Sequence, residues 1–272
     1  MILAALALLA AQDAPVRADA PKIEPYKIIL VGDSTMAPVS GWGSMFCAHH
    51  VKSSVACLNL GRGGRSTRSY RQEGSWDIAL AEAGVPGYRA TYVLIQFAHN
   101  DQSSKSERWT DETTEFPANL RRFVEEVRAA GATPVLVTPL TRREFRDGKL
   151  KNTLASWSDQ IRGVAKAMDV PLVDLNALSA AQTQEMGAET ATKLAQEPPT
   201  AEELAAARTG TTLPARPAPP PPPPIEGDGA RGQVTRKFDY THLGNVGAEV
   251  TAKLVAQALA RAVPSLRSQL LR

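Results

Sequence analysis

Serine, histidine, aspartate and asparagine stand in this sequence where their side chains can be turned to acyl chemistry. Ser34 follows a run of four apolar residues, 28–31, and a glycine, Gly32. A serine hydroxyl is a weak nucleophile at neutral pH and needs a base beside it. Far along the chain, Asp239 and His242 are three positions apart. A histidine can take the serine proton when a carboxylate fixes its tautomer and stabilises the imidazolium. Attack on an ester carbonyl also creates an oxyanion, which needs donors already aimed at it. Ser34 brings its own backbone N–H, the Gly63-Gly64 turn can free another, and Asn100 carries a side-chain amide. Each signal is weak alone, because Gly-Asp-Ser and Asp-x-x-His are short. Their occurrence in order, each after an apolar strand or before the last helix, is far more specific. Taken by itself, Asp33-Ser34-Thr35 reads more readily as a set of helix N-cap residues.

Positioning such groups requires a scaffold. Apolar runs at 28–31, 55–60, 92–97, 134–138 and 170–175 predict short strands buried on both faces. Helical patterns fall at 43–51, 119–130, 155–168 and 247–263, with Gly131 and Pro264 to stop two of them. Strands alternating with helices imply right-handed βαβ units and a parallel sheet. The expected fold is a three-layer α/β/α sandwich around a five-stranded parallel sheet. Such sheets hold ligands at the C-terminal edge of their strands, where Ser34 and Asn100 fall.

The remaining stretches bound the reading. At 272 residues, with 43% hydrophobic content and a net charge of +3, the chain is globular and carries no basic block or aromatic stripe suited to nucleic acid. Residues 1–10 are uninterruptedly apolar but too short to span a bilayer. With Ala18-Asp19-Ala20 they predict a signal peptide over 1–20 and a secreted or periplasmic protein, although the usual positive start is missing. Residues 21–272 then form a single domain. The rhythm breaks after 176, where 177–196 reads as helical and an Ala/Glu stretch follows. Prolines from Pro217 to Pro224 make 197–237 a proline-rich insert with polyproline II character. Cys47 and Cys57 suit either a disulfide or two buried thiols, and no second pair points to structural zinc. His49 and His50 are adjacent, so they point to different sides of a helix and read as surface or helix-end residues rather than as a ligand pair. The loop 61–66 is glycine-rich but lacks the spacing of a phosphate cradle.

Several of these segments form a recognisable series. Gly32-Asp33-Ser34-Thr35-Met36-Ala37 is followed by Gly41-Trp42-Gly43, then by Asn59 through Gly64 with Arg65-Ser66-Thr67-Arg68-Ser69-Tyr70. Phe97-Ala98-His99-Asn100-Asp101 and Asp239-Tyr240-Thr241-His242 complete it. Over about residues 27–176 and 238–262 the chain resembles SGNH (GDSL-type) esterases, and among them the rhamnogalacturonan acetylesterases. The resemblance implies a flavodoxin-like SGNH hydrolase fold, with Ser34 as nucleophile, His242 as general base and Asp239 as its orienting partner. It implies an oxyanion hole from Ser34, Gly64 and Asn100, and no metal or cofactor. The implied substrate is an acetylated polysaccharide or oligosaccharide, met by a monomer with no membrane span in the mature chain. Another ester, such as acetylated xylan, a small acyl ester or a lipid, and a non-catalytic carbohydrate-binding role are the alternatives. Two departures stand out: Ala98 replaces a usual glycine, and the insert before Asp239 is long. Asp33 is expected to tie its loop to backbone N–H groups, and His99 to satisfy local hydrogen bonds. Arg65 and Arg68 suit an acidic sugar or a solvated face equally.

Overall fold

Side chains on a strand alternate between faces, and in the strand leading to Ser34 both faces are apolar. Ile28 and Leu30 pack with Trp42, Phe46, Val255 and Leu259. Ile29 and Val31 pack with Trp76, Phe123 and Ile161. That strand therefore lies in the middle of a sheet covered on both sides. The computed structural model describes residues 24–217 and 236–271.

In chain order the elements are β1 (Tyr26–Gly32), α1 (Gly43–His49), β2 (Val55–Asn59), α2 (Thr67–Gln72), α3 (Ser75–Ala83) and β3 (Ala90–Gln96). Next come α4 (Glu115–Ala129), β4 (Thr133–Val137), a small hairpin of β5 (Phe145–Arg146) and β6 (Lys149–Leu150), α5 (Ala155–Ala167) and β7 (Leu172–Val173). The chain continues through α6 (Leu175–Thr192), α7 (Ala201–Arg208), α8 (Asn245–Ala262) and a 3₁₀ turn, Pro264–Gln269. The main sheet has five strands in the order β2-β1-β3-β4-β7, and every pairing in it is parallel. Residues of α1 and α8 cover one face and residues of α2 to α5 the other. This is the expected α/β/α sandwich in flavodoxin-like order. Its strand order reverses between β1 and β3, which opens a crevice beyond their carboxyl ends.

Departures from the sequence pattern have local causes. α4 starts at Glu115 rather than 119, since Pro117 is tolerated in a first turn. β7 is only two residues long, because Asp174 already caps α6, its side chain accepting from Ala177 N at 3.3 Å. α6 is broken at Gly187, whose φ of 73° only glycine adopts readily, and it stops short of 196. α2 and α3 were not anticipated, and the Ala/Glu stretch is α7. Reciprocal capping boxes start α2 (Ser66 with Ser69) and α7 (Thr200 with Glu203). Ala207 of α7 packs on Phe145, Ala188 and Ala191, so the first part of the insert is folded onto the domain. The expected signal peptide and the polyproline run from 218 onward lie outside the described residues.

Cys47 of α1 and Cys57 of β2 form a disulfide, with Cα atoms 5.5 Å apart. His49 and His50 end α1 as expected, and both meet Glu249 of α8, at 2.8 and 3.0 Å. His50 is buried there rather than on the surface.

Candidate active site

Gly32 ends β1 against β3 so closely that a Cβ would stand 2.7 Å from Gln96 O. Beyond it, Asp33 Oδ1 accepts from the N–H and the hydroxyl of Thr35, each at 2.8 Å, tightening the turn as Asx turns do. Gln96 donates to Thr35 Oγ1 at 2.6 Å and accepts from Trp42 Nε1 at 3.0 Å, which locks this turn onto the end of β3. The N-cap reading of Asp33-Ser34-Thr35 does not hold. The next helix begins at Gly43 with Trp42 at its cap, and Ser34 is left on the turn facing the crevice.

The loop before α8 meets it there. Ser34 Oγ lies 2.9 Å from His242 Nε2, and His242 Nδ1 lies 2.7 Å from Asp239 Oδ2. An ionised carboxylate only accepts, so the imidazole donates from Nδ1 and Nε2 is free to accept from the Ser34 hydroxyl. Asp239 Oδ1 takes the N–H groups of Thr241 and His242 at 2.9 and 2.7 Å. Lys237 Nζ stands 3.1 Å from Oδ2. Burial alone would raise the Asp239 pKa; the His242 contact and the two backbone donors outweigh it and hold the carboxyl far below the usual range.

Gly64, Asn100 and Ser34 share one cleft of about 410 Å³ with His242 and Asp239. Gly64 has φ +78°, so it alone of its neighbours requires glycine for its conformation. The N–H groups of Ser34 and Gly64 have no acceptor among the described residues. Asn100 donates one amide hydrogen to Arg65 O at 3.1 Å, which fixes the amide plane and leaves the second hydrogen for the cleft. The arrangement can deliver an activated hydroxyl to a carbonyl and meet the resulting charge with fixed donors.

Other residues fall differently from expectation. Asp33 ties its loop as anticipated. Among the described residues His99 makes no hydrogen bond through either ring nitrogen; its Nδ1 stands 3.3 Å from Asp33 Oδ2. Ala98 adopts φ +128°, a backbone conformation suited to the glycine it replaces. Arg65 bonds to Glu73 at 2.8 Å and Gly63 O at 2.7 Å, while Arg68 is held by both oxygens of Glu115. Both serve the scaffold, and the cleft is lined instead by Arg108 and Arg142. Those two, and Arg143, escaped the sequence reading; Arg142 and Arg143 are cations five and six residues past the end of β4, and Arg108 lies twelve past the end of β3, too far for strand position to mark it.

Arg143 is fully buried and sits under the loop. Its guanidinium donates to the carbonyls of Asp239, His242 and Thr241 at 3.0, 2.8 and 3.3 Å, and its own N–H to Tyr240 O at 2.9 Å. Burial pulls its pKa down to about 10, still charged at any ordinary pH. Among the described residues, no group of acidic, histidine and cysteine side chains is placed to hold a metal ion. No described helix is long and apolar enough to cross a membrane.

A parallel α/β/α sandwich whose first strand delivers a serine to a histidine from its last loop defines the class: an SGNH-type esterase. The chain belongs to the GDSL-like lipase/acylhydrolase family, whose model matches residues 30–194. That match includes Ser34, Gly64 and Asn100 and ends before Asp239 and His242. Among curated relatives, rhamnogalacturonan acetylesterase RhgT of Bacillus subtilis (strain 168) is 36% identical over 179 residues, covering 63% of this chain and 74% of its own length. The rhamnogalacturonan acetylesterase of Emericella nidulans is 31% identical over 184 residues, covering 60% and 72%. Two solved structures share the fold. Protein YxiM of Bacillus subtilis superposes with a TM-score of 0.62 at 24% identity, over 88% of this chain and 57% of that one. Axe2, an acetylxylan esterase from Geobacillus stearothermophilus, gives 0.54 at 15% identity, over 89% and 96%.

Proposed function

We propose that this protein is a carbohydrate acetylesterase that removes O-acetyl groups from a pectic polysaccharide, rhamnogalacturonan, through a serine-bound acetyl intermediate. The observation that carries the chemistry is the unbroken contact chain Ser34–His242–Asp239 beside three candidate oxyanion donors. The choice of substrate is supported by curated relatives that carry that name. In this reading Ser34 Oγ attacks the acetyl carbonyl while His242 Nε2 takes the hydroxyl proton. The oxyanion is met by the N–H groups of Ser34 and Gly64 and the Asn100 amide; losing one such donor costs about 3 kcal/mol. Collapse breaks the bond to the sugar oxygen, which leaves with the proton from His242. Water, deprotonated by the same nitrogen, then releases acetate and restores the serine. Asp239 stays ionised throughout and holds the imidazole in the required tautomer. We also place the protein outside the cytoplasm. The disulfide between Cys47 and Cys57 favours an oxidising compartment, and residues 1–20 have the pattern of an export signal.

The test is acetate release from acetylated rhamnogalacturonan, acetylated xylan and p-nitrophenyl acetate, for wild type and Ser34→Ala. Release from the pectic polymer is expected to exceed that from xylan, and the variant to lose about 10⁴-fold or more in kcat. A variant retaining a tenth of the activity would remove Ser34 as nucleophile. A preference for xylan would move the substrate.

A further inference from the structure

Three cations, Arg108, Arg142 and Lys237, line the cleft beside Ser34, against one carboxylate, Asp239. Lys237 is answered by that carboxylate at 3.1 Å. Among the described residues neither arginine has a carboxylate in hydrogen-bond contact, although the charges of Glu144, Asp33 and Asp239 reach Arg142 from a distance. Arg142 Nη1 donates to Thr153 Oγ1 at 2.7 Å, and the side-chain oxygen of Gln102, turned to suit both, accepts from Nη1 and Nη2 at 3.3 and 3.2 Å. These partners are neutral. Among the described residues, the acidic side chain nearest Arg108 by ion-pair distance is the exposed Glu107, at 4.0 Å. Three other arginines of this domain sit directly on carboxylates, Arg65 on Glu73 at 2.8 Å, Arg71 on Glu126 at 2.6 Å and Arg162 on Asp174 at 2.9 Å, and buried Arg143 is taken up by backbone carbonyls.

Withdrawing a guanidinium from water without a carboxylate costs free energy. Both are half-buried in the cleft wall, so this cost is partial; the cleft still carries an excess of positive charge, and its planar donor forks match a carboxylate. Arg108 is also close to the reaction: its guanidinium lies 3.3 Å from where a Cβ on Gly64 would stand.

We infer that Arg108 and Arg142 form a carboxylate-binding subsite that holds a uronate unit of the polysaccharide while a neighbouring acetyl group lies at Ser34. The inference rests on the polysaccharide reading above and extends it to the residues that read the polymer's charge. Neutral acetylated chains would gain nothing from these two residues.

Binding can be measured without turnover. Titration calorimetry compares a short oligogalacturonate with its fully methyl-esterified form, which differs only in charge and a methyl group. Wild type is expected to bind the free acid at least about tenfold more tightly, as a charge-assisted pair implies, and to lose that margin as salt rises. Arg108→Gln and Arg142→Gln should each narrow the margin, and the double variant should abolish it. Arg142→Lys keeps the charge without the fork and should retain part of it; it also serves if Arg142→Gln fails to fold. Equal binding of the two forms by wild type, or an undiminished margin in the double variant, overturns the subsite. A margin found without acetate release from rhamnogalacturonan would sustain the subsite and remove the esterase substrate instead.

Discussion

Ala98 carries φ +128° in a fully buried position, where glycine is at ease and alanine is strained. Its neighbours impose that conformation: Phe97 packs on Tyr70 and Phe123, and Asn100 is tied to Arg65 O. Strain of this kind is worth about 1–3 kcal/mol, against about 1 kcal/mol for the extra entropy glycine loses on folding. Ala98→Gly is therefore expected to raise Tm by a few degrees in a thermal melt; a fall would show that no strain resides there. Two residues on, Asp101 takes three hydrogen bonds on Oδ1, from Thr67 N, Thr67 Oγ1 and Thr110 Oγ1, at 3.0, 2.6 and 3.1 Å. Burial nonetheless pushes its pKa up to about 7, with the Asp33 charge adding to it. Between pH 4 and 7 the folded chain then binds the proton that the unfolded chain has released, so stability falls as pH rises through that window. Asp101→Asn removes the titration. Its stability relative to wild type should improve steadily from pH 4 to 7 and level off above, measured by urea denaturation across the range.

The loop that carries Asp239 and His242 is held from beneath by an arginine on the loop after β4, with six elements between them in the chain. Arg143→Met would leave three carbonyls of that loop without their donor, at roughly 1–3 kcal/mol for each buried group left unpaired. We expect kcat to fall by at least about tenfold with KM little changed, because the imidazole drifts from Ser34 while the cleft wall stays. Arg143→Lys, with fewer donors in a less rigid head, should recover only part of the rate. Steady-state kinetics paired with thermal melts separate this from general unfolding. The sequence raised the question of how this loop is anchored after so long an insert, but could not answer it. The acceptors lie 96, 98 and 99 residues from Arg143, and backbone carbonyls leave no mark in side-chain pattern. α2, α3 and α7 were missed for a related reason. They are short, and α2 and α7 are started by capping boxes rather than by long apolar stripes.

At the scale of the molecule, the five apolar runs were legible because parallel strands covered on both faces are written as near-continuous hydrophobic segments. The site was legible through residue types whose chemistry is scarce, such as Ser34, Asn100, Asp239 and His242. The disulfide was not, since a spacing of ten residues says nothing about whether two backbones approach. It closes a loop of 10 residues between a helix and an edge strand, which the chain-entropy estimate values at about 3 kcal/mol. The Cys47→Ser/Cys57→Ser double variant should lose about that much in chemical denaturation, while acetate release at 25 °C persists because neither cysteine lines the cleft. Chain order has a consequence of its own. Ser34 and His242 touch across 208 residues of sequence, with the serine just after the first strand and the histidine just ahead of the last helix. At a synthesis rate of about 5–20 residues per second, some 10–40 seconds separate their appearance on the ribosome. For all that time the growing polypeptide carries a serine with no base beside it, and reactivity arrives in one event, when the last loop docks.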